Sequence, residues 1–248
     1  MSNGDIFLWE MLGTAALILL GAGVVANTVL KKSLGNNGGW LLVNLGWGFA
    51  VFVGASIANP SGAHINPAVT VGLATADKLD WDKVPVYIAG QMVGAFIGAV
   101  LAWLTYKKQF DTHDEPQNTL GIFSTGPTVN APAWNVVTEF IGTFVLLFWI
   151  LTNPSLQAGD DGIVAFGNSA LGYAGVAFVV MSIGHSLGGP TGYAINPARD
   201  LGPRIAYALL PIRGKGGANW AYSWVPVVGP LLGGTAAALL YNALPSVN

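Results

Sequence analysis

An internal repeat constrains this chain more than any other feature. Ser61-Gly62-Ala63-His64-Ile65-Asn66-Pro67-Ala68 recurs as Thr191-Gly192-Tyr193-Ala194-Ile195-Asn196-Pro197-Ala198, an offset of 130 residues. Glu10-Met11-Leu12-Gly13-Thr14 recurs as Glu139-Phe140-Ile141-Gly142-Thr143 at an offset of 129, and Gly90-x-x-x-Gly94 recurs as Gly229-x-x-x-Gly233 at 139. Matches in register over this length mark a duplicated structural unit. The late growth of the offset fits a longer polar loop near Pro211–Ala221.

The repeats are embedded in apolar sequence. A membrane-spanning helix needs about 20 mainly apolar residues. Six stretches qualify: Ile6–Leu30, Gly39–Ala58, Val84–Tyr106, Trp134–Thr152, Val164–Leu187 and Ser223–Leu244. Two shorter apolar segments, Asn66–Thr75 and Asn196–Leu210, each follow a Gly-rich turn and fall short of a span. They read as re-entrant half-helices, a form tolerated at membrane depth only when buried in protein or lining a wet cavity. Each half therefore carries three spans and one half-helix. Three is odd, so the second half sits inverted and the half-helices enter from opposite faces. The expected fold is all-α: six transmembrane helices plus two re-entrant half-helices in an inverted internal repeat. The chain reads as a single transmembrane channel domain over 1–248, with repeat one at about 1–110, a polar loop at about 111–133 and repeat two at about 134–248.

Composition narrows the class. Hydrophobic residues make up 52% of the chain and charged residues 9%, against roughly 25% charged in a soluble domain. A net charge of −2 and the lack of any long basic stretch argue against a nucleic-acid partner. There is no cysteine, so disulfides, cysteine–zinc sites and thiol chemistry are excluded. No metal-ligand spacing appears, and no metal or cofactor is expected. The first apolar run lacks a basic segment before it and reads as a retained span, not a cleaved signal.

The repeated triplets carry the chemistry. Asn is a strong helix N-cap and Pro suits the first helical position. Two such helix starts meeting at mid-membrane would focus unsatisfied N–H groups and positive dipole ends on one point. Cations, hydronium included, would meet a barrier there, while an anion would have to shed its water in a narrow apolar channel. A single triplet is only a cap; two, each closing a matched string in duplicated halves, are specific.

This pattern resembles the aquaporin superfamily over nearly the whole chain, and the run Asn196-Pro197-Ala198-Arg199-Asp200-Leu201-Gly202-Pro203-Arg204 resembles its glycerol-facilitator branch. Asp200, Arg204 and Pro226 are the residues that point to that branch. The resemblance implies a homotetramer with a pore in each protomer, surrounded by membrane lipid in the plasma membrane, with cytoplasmic termini. Basic residues alone would favour the opposite orientation, because Lys31, Lys32, Lys107, Lys108, Arg213 and Lys215 fall on the outer side of an N-in chain. It also implies a selectivity filter of Trp47, Gly184, Tyr193 and Arg199. Trp47 and Tyr193 would form an apolar corner, and Arg199 would donate to hydroxyls. Gly184 would leave room where water-selective members place His. Pore carbonyls would come from Gly62, Ala63, His64, Gly192, Tyr193 and Ala194. Three departures stand out: Tyr193 in place of the usual Phe, Gly126 in place of Tyr in the third loop, and a Trp47-to-Asn66 stretch one residue short.

Glu10 and Glu139 read as buried acceptors for the re-entrant backbone, in preference to a proton relay, and Asp200 as a structural partner near the pore mouth. Gln91 reads as a polar packing contact, and the His64 side chain as a structural hydrogen-bond group. His185 is the residue a one-position slip would bring into the filter. The expected function is passive passage of glycerol, similar small neutral solutes and some water, without ions or protons. The alternatives are a channel mainly for water, lactic acid in neutral form, dihydroxyacetone or hydrogen peroxide, and an ion-coupled secondary transporter. No enzyme is expected, since the three His residues are scattered and no catalytic set converges.

Overall fold

The computed structural model describes residues 1–152 and 172–245. These form α1 (Asn3–Val29), α2 (Gly39–Ile57), α3 (Pro67–Thr75), α4 (Val84–Thr105), α5 (Lys107–Asp111), α6 (Leu120–Phe123), α7 (Pro132–Thr152), α8 (Gly172–Leu187), α9 (Pro197–Leu209) and α10 (Val225–Ala243), with no strand among the described residues. α1, α2, α7, α10 and the segment Trp81–Thr105 that contains α4 are long and apolar enough to cross a membrane. α8 is the described part of the expected fifth span, whose start at Val164 lies outside the described residues. The two expected half-helices are α3 and α9, each beginning at the proline of its triplet.

The packing repeats with the sequence. α1 lies against α4 and α7 against α10, while α2 meets α8 between the halves. Each half-helix crosses over: α3 packs on α10 and α9 on α4. Glycine sets the closest approaches. A Cβ on Gly94 would stand 2.2 Å from the Met11 carbonyl oxygen, and one on Gly233 would stand 2.2 Å from that of Phe140. Met11 and Phe140 are equivalent positions of the repeat, so both helix pairs close to backbone contact by the same device. Small residues let spans approach in this way when lipid offers no hydrophobic drive between them.

Outward faces stay apolar. Phe49, Phe178, Leu41 and Leu232 are exposed, as are Trp40, Trp81, Trp134, Trp220 and Trp224 near the starts of spans. Tryptophans at span ends suit the membrane–water interface. The connection read as a polar loop holds more structure than its composition suggests. Ile122 and Phe123 are buried there, and Phe123 packs on Tyr207 of α9 with ring centroids 5.4 Å apart. Two apolar residues sufficed to dock α6, too few to register as a periodic pattern.

Candidate solute pathway

The two triplets meet. Asn66 and Asn196 have nearly the same extended backbone, φ −159° and −157°. Asn66 Oδ1 accepts from the Ala68 N–H at 2.9 Å, and Asn196 Oδ1 from those of Ala198 at 3.0 Å and Arg199 at 3.1 Å. With the oxygens spent on capping, the amide N–H groups face across. Asn66 Nδ2 donates to the Ile195 carbonyl at 2.8 Å and Asn196 Nδ2 to the Ile65 carbonyl at 2.9 Å. Each amide has a second N–H left over.

The turns before the triplets are strained and buttressed alike. Gly62 and Gly192 have φ of 92° and 81°, where glycine alone is comfortable. Ala63, Ile65, Tyr193 and Ile195 are also left-handed, with φ of 58°, 43°, 39° and 44°. A β-branched residue there is an outlier that neighbours must hold in place. The holders are the two buried carboxylates. Glu10 accepts from the His64 and Ile65 N–H groups at 3.1 and 2.7 Å and from the Ser61 hydroxyl at 2.6 Å. Glu139 accepts from the Ala194 and Ile195 N–H groups at 2.9 and 2.8 Å and from the Thr191 hydroxyl at 2.7 Å. Gln91 adds a fourth donor to Glu10 at 2.8 Å. With the N–H groups drawn outward, the carbonyls of Gly62, Ala63, His64, Gly192, Tyr193 and Ala194 have no donor among the described residues.

A narrow cavity of about 180 Å³ is bordered by both triplet asparagines and by Gly62, Ala63, His64, Tyr193 and Ala194, with Val51, Val69, Leu73, Val180 and Leu146 supplying apolar lining. A wider vestibule of about 510 Å³ is bordered by Thr28, Asn37, Trp40, Ser124, Thr125 and Gly126. Among the described residues three border both: Trp47, Tyr193 and Arg199. They stand where the two spaces adjoin.

Local fit explains their placement. Trp47 lies over Gly21 of α1, where an added Cβ would meet the indole at 2.3 Å. The Arg199 guanidinium carbon is 3.8 Å from the Trp47 ring centroid, and Nη1 donates to the Phe123 carbonyl at 3.2 Å. A cation in the first turn of a helix opposes the helix dipole, so its position is not explained by the stability of α9. Asp200 follows it and is fully buried. Its carboxylate accepts from the Thr125 N–H and hydroxyl, both at 2.7 Å, and from Arg204 Nε at 2.8 Å and Nη2 at 3.1 Å. Asp200 therefore fixes the vestibule loop and borders neither space. Gly184 does not border them either; Tyr193 covers it, with Cζ 2.7 Å from where a Cβ would be. His185 also lies off both, its Nδ1 2.7 Å from the Met181 carbonyl oxygen. His64 stacks on Tyr87 at 4.2 Å and places Nδ1 3.1 Å from the Thr70 hydroxyl.

Several participants escaped sequence reasoning. Ser61 and Thr191 were visible as matched hydroxyl residues in the repeat. The Phe123 carbonyl and Tyr87, whose hydroxyl donates to the Ser61 carbonyl at 2.5 Å, left no pattern to read.

The sequence pattern of the family described as Major intrinsic protein matches residues 3–241. The probable glycerol uptake facilitator protein of Thermotoga maritima is 52% identical over 241 residues, covering 97% of this chain and 99% of the relative. The glycerol uptake facilitator protein of Bacillus subtilis is 51% identical, covering 96% of this chain and 84% of the relative. Among solved structures, the aquaglyceroporin from Plasmodium falciparum superposes with a TM-score of 0.82 at 32% identity, over 97% of this chain and 96% of that one.

Proposed function

The chain belongs to the major intrinsic protein family, and we propose that it is a passive channel for glycerol and other small uncharged solutes, with some water permeability. The observation that carries this reading is that Trp47, Tyr193 and Arg199, alone among the described residues, border both spaces described above. A solute moving between vestibule and cavity passes the rings of Trp47 and Tyr193 and the guanidinium of Arg199, whose flat face lies over Trp47 and whose edge carries the N–H donors. A polyol matches that asymmetry: carbons against rings, hydroxyl oxygens toward donors.

Below this ring the lining keeps the same division. The carbonyls of Gly62, Ala63, His64, Tyr193 and Ala194, without donors among the described residues, accept from hydroxyls there, Gly192 bordering the vestibule instead, and valine and leucine face the carbon backbone. At the triplets, each asparagine oxygen is committed to its cap, so a solute meets only N–H donors. A hydroxyl oxygen accepts there, while a cation or hydronium finds donors and the positive ends of α3 and α9. Ions and protons are thereby excluded. Among the described residues no carboxylate borders the narrow cavity, since Glu10 and Glu139 are occupied by the turns behind it. That speaks against coupling to an ion. The family is one of passive channels and not of enzymes. The protein is an integral multi-pass membrane protein; residence in the plasma membrane, cytoplasmic termini, a homotetramer in lipid and a single channel domain per chain complete the proposal.

Labelled glycerol entering proteoliposomes tests it. Uptake should end at equal concentrations inside and out with or without an ion gradient. Accumulation driven by a proton or sodium gradient would replace the channel by a transporter.

A further inference from the structure

Tyr193, one of the two rings at the junction of the spaces, sits in a socket. A Cβ on Gly184 would stand 2.7 Å from Tyr193 Cζ, and one on Gly188 would stand 2.5 Å from Tyr193 Cδ1. These glycines are four residues apart, Gly188 standing just past the end of α8, so the ring rests in a groove that only hydrogen side chains leave open. Trp40 walls the groove. It meets Tyr193 edge to face at 5.8 Å, and its Nε1 donates to the Gly184 carbonyl at 3.2 Å. Asn44, one turn along α2 from Trp40, completes the socket and is 0% exposed.

Three polar atoms here are orphaned. Tyr193 Oη and both Asn44 Oδ1 and Nδ2 are shielded from solvent without a hydrogen-bond partner among the described residues. Buried polar groups are rarely left so. All three belong to one place: a Cβ on Gly184 would lie 2.4 Å from Asn44 Oδ1 and 3.0 Å from Tyr193 Oη. The hydroxyl is a donor and acceptor, and the amide offers both complements.

We propose that Asn44 is a positioning residue of the pore: its amide takes the Tyr193 hydroxyl, closing a contact that the structure leaves open, and holds the ring down in the Gly184–Gly188 groove. The hydroxyl is then turned away from the solute, and the ring presents only apolar surface to it. Tyrosine at this position therefore costs the filter no width and adds no competing hydrogen-bond group. The inference rests on the reading of Tyr193 as a filter wall.

A mutant cycle tests it. Wild type, Asn44→Leu, Tyr193→Phe and the double variant are reconstituted at matched density, and glycerol and water permeabilities are measured. Asn44→Leu strands the hydroxyl, and the ring swings its oxygen toward lumen water. The glycerol-to-water ratio should fall about five-fold or more, the scale set by one orphaned buried group. Tyr193→Phe alone should keep the ratio within about three-fold, since less than one such group is at stake. The double variant should return to near the wild-type ratio, because a ring without a hydroxyl has no reason to leave the groove. An Asn44→Leu protein with an unchanged ratio overturns the proposal, as does an equal deficit in the Tyr193→Phe background. If Asn44→Leu does not fold, Asn44→Ala carries the same expectations without added bulk. A wild-type protein that passes no glycerol would overturn the filter reading instead. The cycle would then be read in thermal stability, where Asn44→Leu should be costly only while the Tyr193 hydroxyl is present.

Discussion

Asn66 and Asn196 each hold the other's turn: Asn66 Nδ2 donates to the carbonyl preceding Asn196, at 2.8 Å, and Asn196 Nδ2 to the carbonyl preceding Asn66, at 2.9 Å. Each side chain therefore both caps its own half-helix and locks the opposite one. Replacing either with Ala removes a cap worth about 0.5–2 kcal/mol and orphans a buried carbonyl, at about 1–3 kcal/mol. Asn66→Ala and Asn196→Ala should lower the thermal midpoint in detergent by similar amounts. The double variant should lose less than the sum, because the two ties share one junction. Strictly additive losses would mean that the half-helices are held separately.

The carboxylates behind the turns should differ in tolerance. Glu139 accepts three hydrogen bonds from Thr191, Ala194 and Ile195, and Gln there must aim an NH2 at one of those donors. Gln at position 10 also meets a backbone donor on either side, from His64 or Ile65, but it has a neighbour that can offset the loss: Gln91 Oε1 is buried without a partner among the described residues. A flipped Gln91 amide would present that oxygen to the new NH2. Glu139→Gln should thus reduce folded yield and melting temperature more than Glu10→Gln. Equal losses would show that Gln91 does not adapt.

The repeat made the paired parts of this site readable in advance. Glu10 and Glu139, the two triplets and the Gly94 and Gly233 crossings were legible because each occurs twice at a matched offset, and the same chemistry was needed twice. Parts that occur once were harder. Trp40 bonds the Gly184 carbonyl across 144 residues of sequence, and no local pattern in α2 announces a partner in α8. Gly184 itself was read as space left for the solute, whereas its immediate neighbour is Tyr193. The α6 docking rests on two apolar residues inside a polar stretch, below what periodicity resolves. The start of the fifth span, at Val164, lies outside the described residues.

Asp200 shares a buried ion pair with Arg204, Nη2 to Oδ1 at 2.8 Å, both side chains being 0% exposed. Removing one member of such a pair leaves an uncompensated charge and costs about 3–5 kcal/mol. Asp200→Ala should therefore destabilise the protein by that order and free the Thr125 loop. Thermal unfolding of detergent-solubilised protein measures this. Near-wild-type stability would mean that the carbonyls of Ala218 and Thr125, which Arg204 also bonds at 2.7 and 2.9 Å, suffice to hold it.

Size and charge at the ring should separate in permeability. Gly184→His drives a side chain into the place of the Tyr193 ring and pushes that ring toward the lumen, so glycerol flux should fall far more than water flux. Gly126→Tyr is the control: no atom lies within 4 Å of a Cβ there, so it should narrow the vestibule without moving the ring. Arg199→Val removes the donors that orient hydroxyls and the charge that repels cations, and should weaken polyol selection and admit protons. Water, glycerol and proton fluxes at matched protein density check all three. Equal losses of water and glycerol flux in Gly184→His would remove Gly184 from the account of the filter.

The central claim is that glycerol crosses through the ring of Trp47, Tyr193 and Arg199. Stopped-flow light scattering on proteoliposomes of the purified wild-type protein, challenged with a glycerol gradient and compared with protein-free vesicles, tests it most directly. The account predicts glycerol-driven reswelling well above the lipid background, at a rate constant that does not saturate as the gradient is raised. Reswelling no faster than in empty vesicles, with water flow alone enhanced, would contradict it.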